Sequence, residues 1–315
     1  MEPVGPTATR EPRSVVITGA SRGLGLASAT HLYQLGWRVV GAMRSPDARL
    51  ERLRAATGAA ADDPRLVGVR LDLDDPSSIV AAGKAIEEAV GAPDVLVHNA
   101  GTAAVGCVED VPSEVWDQLF RTNLFGPVRL TKELLPCMRA AGRGRIVVVS
   151  SQGGTRGMPS ISAYSASKGA LERWAEALAE EIAPFGLGVT ILVSGMFTTD
   201  ILTEQTLHYG DLSGPYAPHY EGIDRTGRSM VRLANPPARF ASALARVLDE
   251  RAPFSRHAVG FDARMLLFGS RLLPGRLLHH LVRLAMGLPR QGALRRRPLR
   301  LAADDSSSEE SEQHG

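Results

Sequence analysis

The chain has 315 residues, 44% of them apolar, and a formal net charge of only +2. That combination fits one large soluble α/β domain with tails, and the near-neutral balance excludes a global basic field of the kind that gathers nucleic acid. Two cysteines, Cys107 and Cys137, form neither a disulfide framework nor a CxxC metal pattern; they read as reduced thiols, with a bond between them left open by spacing alone.

In chain order, 1–13 has no apolar stretch of the signal-peptide kind and reads as a disordered lead-in to a cytoplasmic protein. Nowhere does an apolar run reach the roughly 18 residues of a membrane-spanning helix. Short apolar runs at 14–18, 38–42, 66–71, 95–98, 145–150 and 189–193 predict strands. Helical patterns lie between them at 24–34, 76–90, 115–138 and 163–183. Continuous apolar strands alternating with helices predict a doubly wound, mostly parallel sheet covered on both faces, in one catalytic domain over 14–260. The stretch 200–232 is rich in Gly, Tyr, His and Thr with weak periodicity, which predicts a substrate lid. Helix is expected again over 237–250, then a basic amphipathic helical extension over 261–300. An acidic, Ser-rich tail at 301–315 reads as disordered.

The first strand runs into Thr18-Gly19-Ala20-Ser21-Arg22-Gly23-Leu24-Gly25 and then a helix. Glycines there let the backbone approach a pyrophosphate, and the helix N-terminus offers it unpaired N–H groups. An NAD site needs a carboxylate about 20 residues on, for the ribose hydroxyl. The second strand instead ends Gly41-Ala42-Met43-Arg44. Arg44, with Arg22 inside the glycine turn, suits the extra phosphate of NADP(H); solvated surface arginines are the other reading, so the missing acid is the stronger half of the inference.

Together with the glycine turn, four further motifs in order make the chain resemble the short-chain dehydrogenase/reductase family over about 14–200. They are Asp72-Leu73, His98-Asn99-Ala100-Gly101, Asn123 with Ser151, and Tyr164-Ser165-Ala166-Ser167-Lys168. His98 stands where that family usually has Asn, and Ser194 where it usually has Pro before Gly195. The resemblance implies a Rossmann-type fold. It implies cofactor contacts from Gly19, Ala20, Ser21, Arg22, Gly23, Leu24, Gly25 and Arg44, and from Asp72, Leu73, Asn99, Ala100 and Gly101. It adds Tyr164, Lys168, Gly195, Phe197 and Thr199. Ser151 is implied to hold the substrate oxygen, Tyr164 to exchange a proton with it, Lys168 to lower the Tyr164 pKa and bind the nicotinamide ribose, and Asn123 to hold a relay water. A homo-oligomer is implied too, because the family commonly pairs subunits through the helices bearing Asn123 and Tyr164.

The residues themselves support that chemistry. Tyr164 and Lys168 are four apart on a predicted helix and share a face. A free tyrosine has a pKa of about 10, so moving it near 7 takes roughly 4 kcal/mol, of which a neighbouring ammonium can supply a large part. The expected reaction is hydride transfer between NADP(H) and a carbonyl or secondary alcohol. Leu202, Leu207, Tyr209, Leu212, Tyr216 and Tyr220 are expected to line an apolar pocket for a steroid, retinoid, polyketide or lipid-like substrate. A sugar-nucleotide epimerase or dehydratase would prefer a GxxGxxG turn and a longer substrate domain. A non-catalytic NADP(H) sensor would have no need of Ser151, Tyr164 and Lys168.

Over 263–288 leucines alternate with arginines around Pro274-Gly275, and no acid lies between Arg264 and Arg300. Two short amphipathic helices are expected. They fit either an interfacial surface that meets membrane or an extension packed on the domain or another subunit, the simpler of the two.

Overall fold

The computed structural model describes residues 12–199, 206–231 and 234–294, with the side chains of 228–231 left aside. The expectations for the lead-in before residue 12, for Leu202, for the arginines beyond 294 and for the acidic tail lie outside these residues.

Seven parallel strands form one sheet. They are β1 (Ser14–Thr18), β2 (Arg38–Met43), β3 (Leu66–Arg70), β4 (Val95–His98), β6 (Gly144–Ser151), β7 (Leu187–Ser194) and β9 (Phe254–Val259), in the spatial order β3-β2-β1-β4-β6-β7-β9. Two short strands, β5 (Ala104–Val105) and β8 (Leu207–His208), pair outside it. Side chains alternate between two apolar layers, as a sheet buried on both sides requires. Val16, Val40, Leu96 and Ile146 face α3 (Pro76–Val90), α5 (Gly126–Ala141) and α7 (Ser162–Ile182). Val15, Ile17, Val39 and Val97 face α1 (Gly23–Gln34), α2 (Pro46–Thr57) and α9 (Pro237–Val247). The fold is the doubly wound Rossmann type, and the strand order reverses between β1 and β4, the switch point where such sheets open a crevice.

Four elements depart from expectation. The helix expected over 115–138 is α4 (Ser113–Phe120), a π-helical turn (Arg121–Phe125) and α5. Neither α2 nor β9 was expected. In α2 only Leu53 and Thr57 are buried, so its apolar stripe is too thin to read. In β9 Ser255, Arg256 and His257 mask the strand pattern at the sheet edge. The weakly periodic stretch contains a helix, α8 (Ala217–Val231).

The C-terminal extension forms α10 (Phe261–Leu272) and α11 (Gly275–Ala285), broken at Pro274-Gly275. Among the described residues no helix is long and apolar enough to cross a membrane.

Candidate active site

A cleft of about 610 Å³ opens along the carboxyl ends of the strands at the switch point. Its cofactor-side wall combines the turn after β1, the tip of β2 and the loop after β4, with Gly19, Ser21, Arg22, Gly23 and Leu24 on one side and Asn99, Ala100 and Gly101 on the other. Ala20 and Gly25 lie behind that wall, both buried.

Packing dictates the glycines. A Cβ on Gly25 would lie 2.6 Å from Asn99 Nδ2 and nearer still to the Gly19 carbonyl. One on Gly19 would lie 3.1 Å from Ala100, at a φ of +70° that already favours glycine. Thr18, buried at the end of β1, ties the two loops together. Its Oγ1 accepts from the amides of Asn99 and Ala100 at 3.0 Å, while Asn99 Nδ2 donates to the Thr18 carbonyl at 2.9 Å. The first turn of α1 has neither a side-chain cap nor an acidic residue. Its N–H groups therefore remain for an anion, and the turn fits the pyrophosphate of a dinucleotide.

At the far end Arg44, Asp72 and Leu73 line the cleft. So does Arg49 of α2, which sequence reading missed because α2 itself was not legible. Opposite, Gly195, Phe197 and Thr199 line the cleft beyond β7. Thr199 sits over the glycine turn, 3.5 Å from where a Cβ on Gly23 would be.

Ser151, Tyr164 and Lys168 meet in the middle. Ser151, at the end of β6, caps the short helix α6 (Gln152–Thr155) through the Gly153 amide. Its hydroxyl faces the same cleft as the Tyr164 phenol. Burial pushes the Tyr164 pKa above its ordinary value, and the neighbouring Ser151 hydroxyl opposes this only in part. The expectation that Lys168 lowers the phenol is therefore not met by the protein alone. Lys168 Nζ donates to the Val149 carbonyl at 2.9 Å, and burial brings its own pKa down to about 8. A buried ammonium is costly, which is why burial lowers its pKa.

Asn123 is fully buried in the π-helical turn. Its Oδ1 accepts from the Thr102 amide at 2.9 Å. Its Nδ2 donates to the Thr102 carbonyl at 2.9 Å and to Ser167 Oγ at 3.0 Å. Both Asn123 Oδ1 and Lys168 Nζ crowd the space a Cβ on Gly101 would take, at 3.1 and 3.3 Å.

Two carboxylates that sequence reading missed brace this centre. Glu172, buried one turn beyond Lys168, accepts from Ser150 Oγ at 2.6 Å and ion-pairs with Arg256 of β9. Asp262, in the first turn of α10, accepts from the Met196 amide at 2.7 Å and from Gln152 Nε2 at 3.3 Å. Where the family usually has Pro, Ser194 Oγ donates to the Ser150 carbonyl at 2.8 Å. An Asp or Glu in a first helical turn is ordinary, so nothing in the sequence marked Asp262.

The substrate end differs from expectation. It is lined by Val105, Met158, Ile161, Met196, Ile223 and Met286 among others. Those of the expected residues that are described lie elsewhere. Tyr216 donates to Glu109 at 2.8 Å and Tyr220 to Asp110, Tyr209 packs on a separate apolar cluster, and Leu207 and Leu212 are exposed. Phenol hydroxyls with carboxylates in reach are anchored by them, and the rings follow.

The family model described as short chain dehydrogenase matches residues 13–210. The uncharacterized oxidoreductase YusZ of Bacillus subtilis is 40% identical over 59% of this chain and 65% of its own length, just under two thirds of that relative. A 3-ketodihydrosphingosine reductase of Bacteroides thetaiotaomicron is 30% identical over 87% of this chain and 98% of its own. Among solved structures, a short-chain dehydrogenase from Streptomyces avermitilis has a TM-score of 0.74 and 35% identity, covering 89% of this chain and all of that one. The chain belongs to the short-chain dehydrogenase family, whose members are oxidoreductases that bind a nicotinamide cofactor.

Proposed function

We propose that the protein is an NADP(H)-dependent oxidoreductase that interconverts a carbonyl and a secondary alcohol on a hydrophobic substrate. The observation that carries this reading is the convergence of Ser151, Tyr164 and Lys168 on one cleft, between the glycine turn and an apolar pocket. When bound, the nicotinamide supplies or accepts the hydride and, oxidised, carries a positive charge that favours the phenolate.

Tyr164 gives its proton to the carbonyl oxygen in reduction and removes one from the alcohol in oxidation. Ser151 donates to the same oxygen and fixes it within reach of the phenol. Lys168 keeps a positive charge one helical turn from Tyr164 and binds the cofactor's ribose. Asn123 uses both of its amide hydrogens and one acceptor position on protein groups. The remaining acceptor position on Oδ1 can hold a water beside Lys168 as a proton relay.

The preference for NADP(H) rests on Arg44 and Arg49 at the adenosine end and on the absence of a carboxylate at the tip of β2. The apolar pocket favours a lipid-like ketone, and the Bacteroides relative is named for reducing a substrate of that kind. The test is NADPH oxidation by the purified chain with ketones of increasing chain length. Activity is expected to rise with chain length, Tyr164→Phe to abolish it with cofactor still bound, and Arg44→Asp to erode the preference for NADPH over NADH. Full activity of Tyr164→Phe would sink the mechanism, and an unchanged preference in Arg44→Asp would sink the arginine argument.

A further inference from the structure

The apolar side chains left in solvent concentrate on the C-terminal extension. On α10, Phe261, Met265, Phe268 and Leu272 recur at i, i+4, i+7 and i+11 and are 52–72% exposed. On α11, Leu277, Leu281 and Leu284 repeat the spacing at 43–63%. The inner faces are anchored, with Ala263 and Leu278 buried. Each helix thus packs on the domain by one face and turns a second apolar stripe outward. A solvated helix face has no reason to carry such a stripe.

Asp262, the one acid on the two helices, is engaged inward by the Met196 amide and Gln152, and the other charges around these stripes are all positive. Arg264, Arg271, Arg276 and Arg283 stand on the two helices, and the sequence from Arg264 to Arg300 has no acid. A second copy meeting this face across a two-fold axis would bring arginines against arginines. Apolar stripes flanked by arginine suit instead the boundary between anionic headgroups and acyl chains. The extension also reaches the site. Met286 lines the substrate end of the cleft, and the α11 end abuts α8 so closely that a Cβ on Gly222 would strike the Gly287 carbonyl.

We infer that α10 and α11 form a docking surface for an anionic lipid bilayer, placing the substrate mouth at the interface. The surface itself rests on exposure and charge; only its link to substrate entry rests on the function proposed above.

The test is cosedimentation of the full chain with vesicles of phosphatidylcholine alone and with added phosphatidylserine, which reads binding without turnover. Binding is expected only to the anionic vesicles and is expected to weaken with salt. Each arginine neutralised in Arg264→Gln and Arg271→Gln should weaken it about fivefold. Phe268→Ser with Leu272→Ser and Leu284→Ser should remove it, with NADPH binding intact as the check on folding. No binding to anionic vesicles at low salt would overturn the inference. So would binding that neither set of substitutions alters, a dimer that the serine variant dissociates without vesicle binding, or vesicle binding that appears only after removal of 304–315.

Discussion

The Asp262 carboxylate accepts the Met196 amide at 2.7 Å, 66 residues away in the chain. Through it the first turn of α10 holds the loop that follows β7, and the same oxygen takes the Gln152 amide beside Ser151. A Cβ on Gly195 would collide with that carboxylate, so the loop and the helix have closed on each other. The extension therefore braces the cofactor wall as well as forming an outer surface.

Asp262→Ala should weaken cofactor binding about tenfold, because a charged acceptor contributes roughly 1.5–3 kcal/mol and part of that loss falls on loop position. Asp262→Asn keeps an acceptor and should restore most of the affinity. Titration of the cofactor against protein fluorescence reads both. An Asp262→Ala variant that binds as tightly as the parent would show that the loop holds itself.

How much of this was legible depends on the distance over which each residue acts. The glycine turn and the Tyr164–Lys168 pair were legible because local spacing places each on one turn or one helix face, while Asn99 was legible only through the family resemblance. The alternating runs gave six of the seven sheet strands for the same reason. Arg256 belongs to the seventh, and its meaning lies in Glu172, on another element entirely. Asp262 and Arg49 are likewise defined by partners or a cleft that exist only once the chain has folded. Tyr216 and Tyr220 failed in the opposite direction. Their apolar rings suggested a pocket, but Glu109 and Asp110 claim the hydroxyls.

Lys168 trades stability for function. Its ordinary pKa of 10.5 falls to about 8 on burial, so the charged form costs about 3 kcal/mol at neutral pH. Lys168→Met removes that cost and gives up a hydrogen bond to Val149 contributing about 1 kcal/mol. The variant should be inactive yet about 2 kcal/mol more stable than the parent at pH 7 without cofactor. Above pH 8 the folded parent sheds this proton while the unfolded chain keeps it until about 10.5, so the parent gains stability and the gap narrows. Urea unfolding at pH 7 and pH 10 measures both values, and a variant less stable at pH 7 would refute the assignment.

His98 sets the acid limit. It is fully buried, hydrogen-bonded through Nε2 to Thr131 at 2.8 Å, and its Nδ1 has no hydrogen-bond partner among the described residues. Burial first, and the Lys168 charge second, bring its pKa from 6.5 to about 3. The folded protein therefore refuses a proton that the unfolded chain accepts below about 6.5, and stability is lost as pH falls from there toward 3. The loss at pH 5 is about 2 kcal/mol from this residue alone. His98→Asn places the family's usual residue against Thr131 and has nothing to titrate. Its unfolding free energy should fall less than the parent's between pH 7.5 and pH 5, by about those 2 kcal/mol. Parallel pH profiles for the two proteins would mean that the imidazole gains its proton without cost, which an apolar site beside an ammonium does not allow.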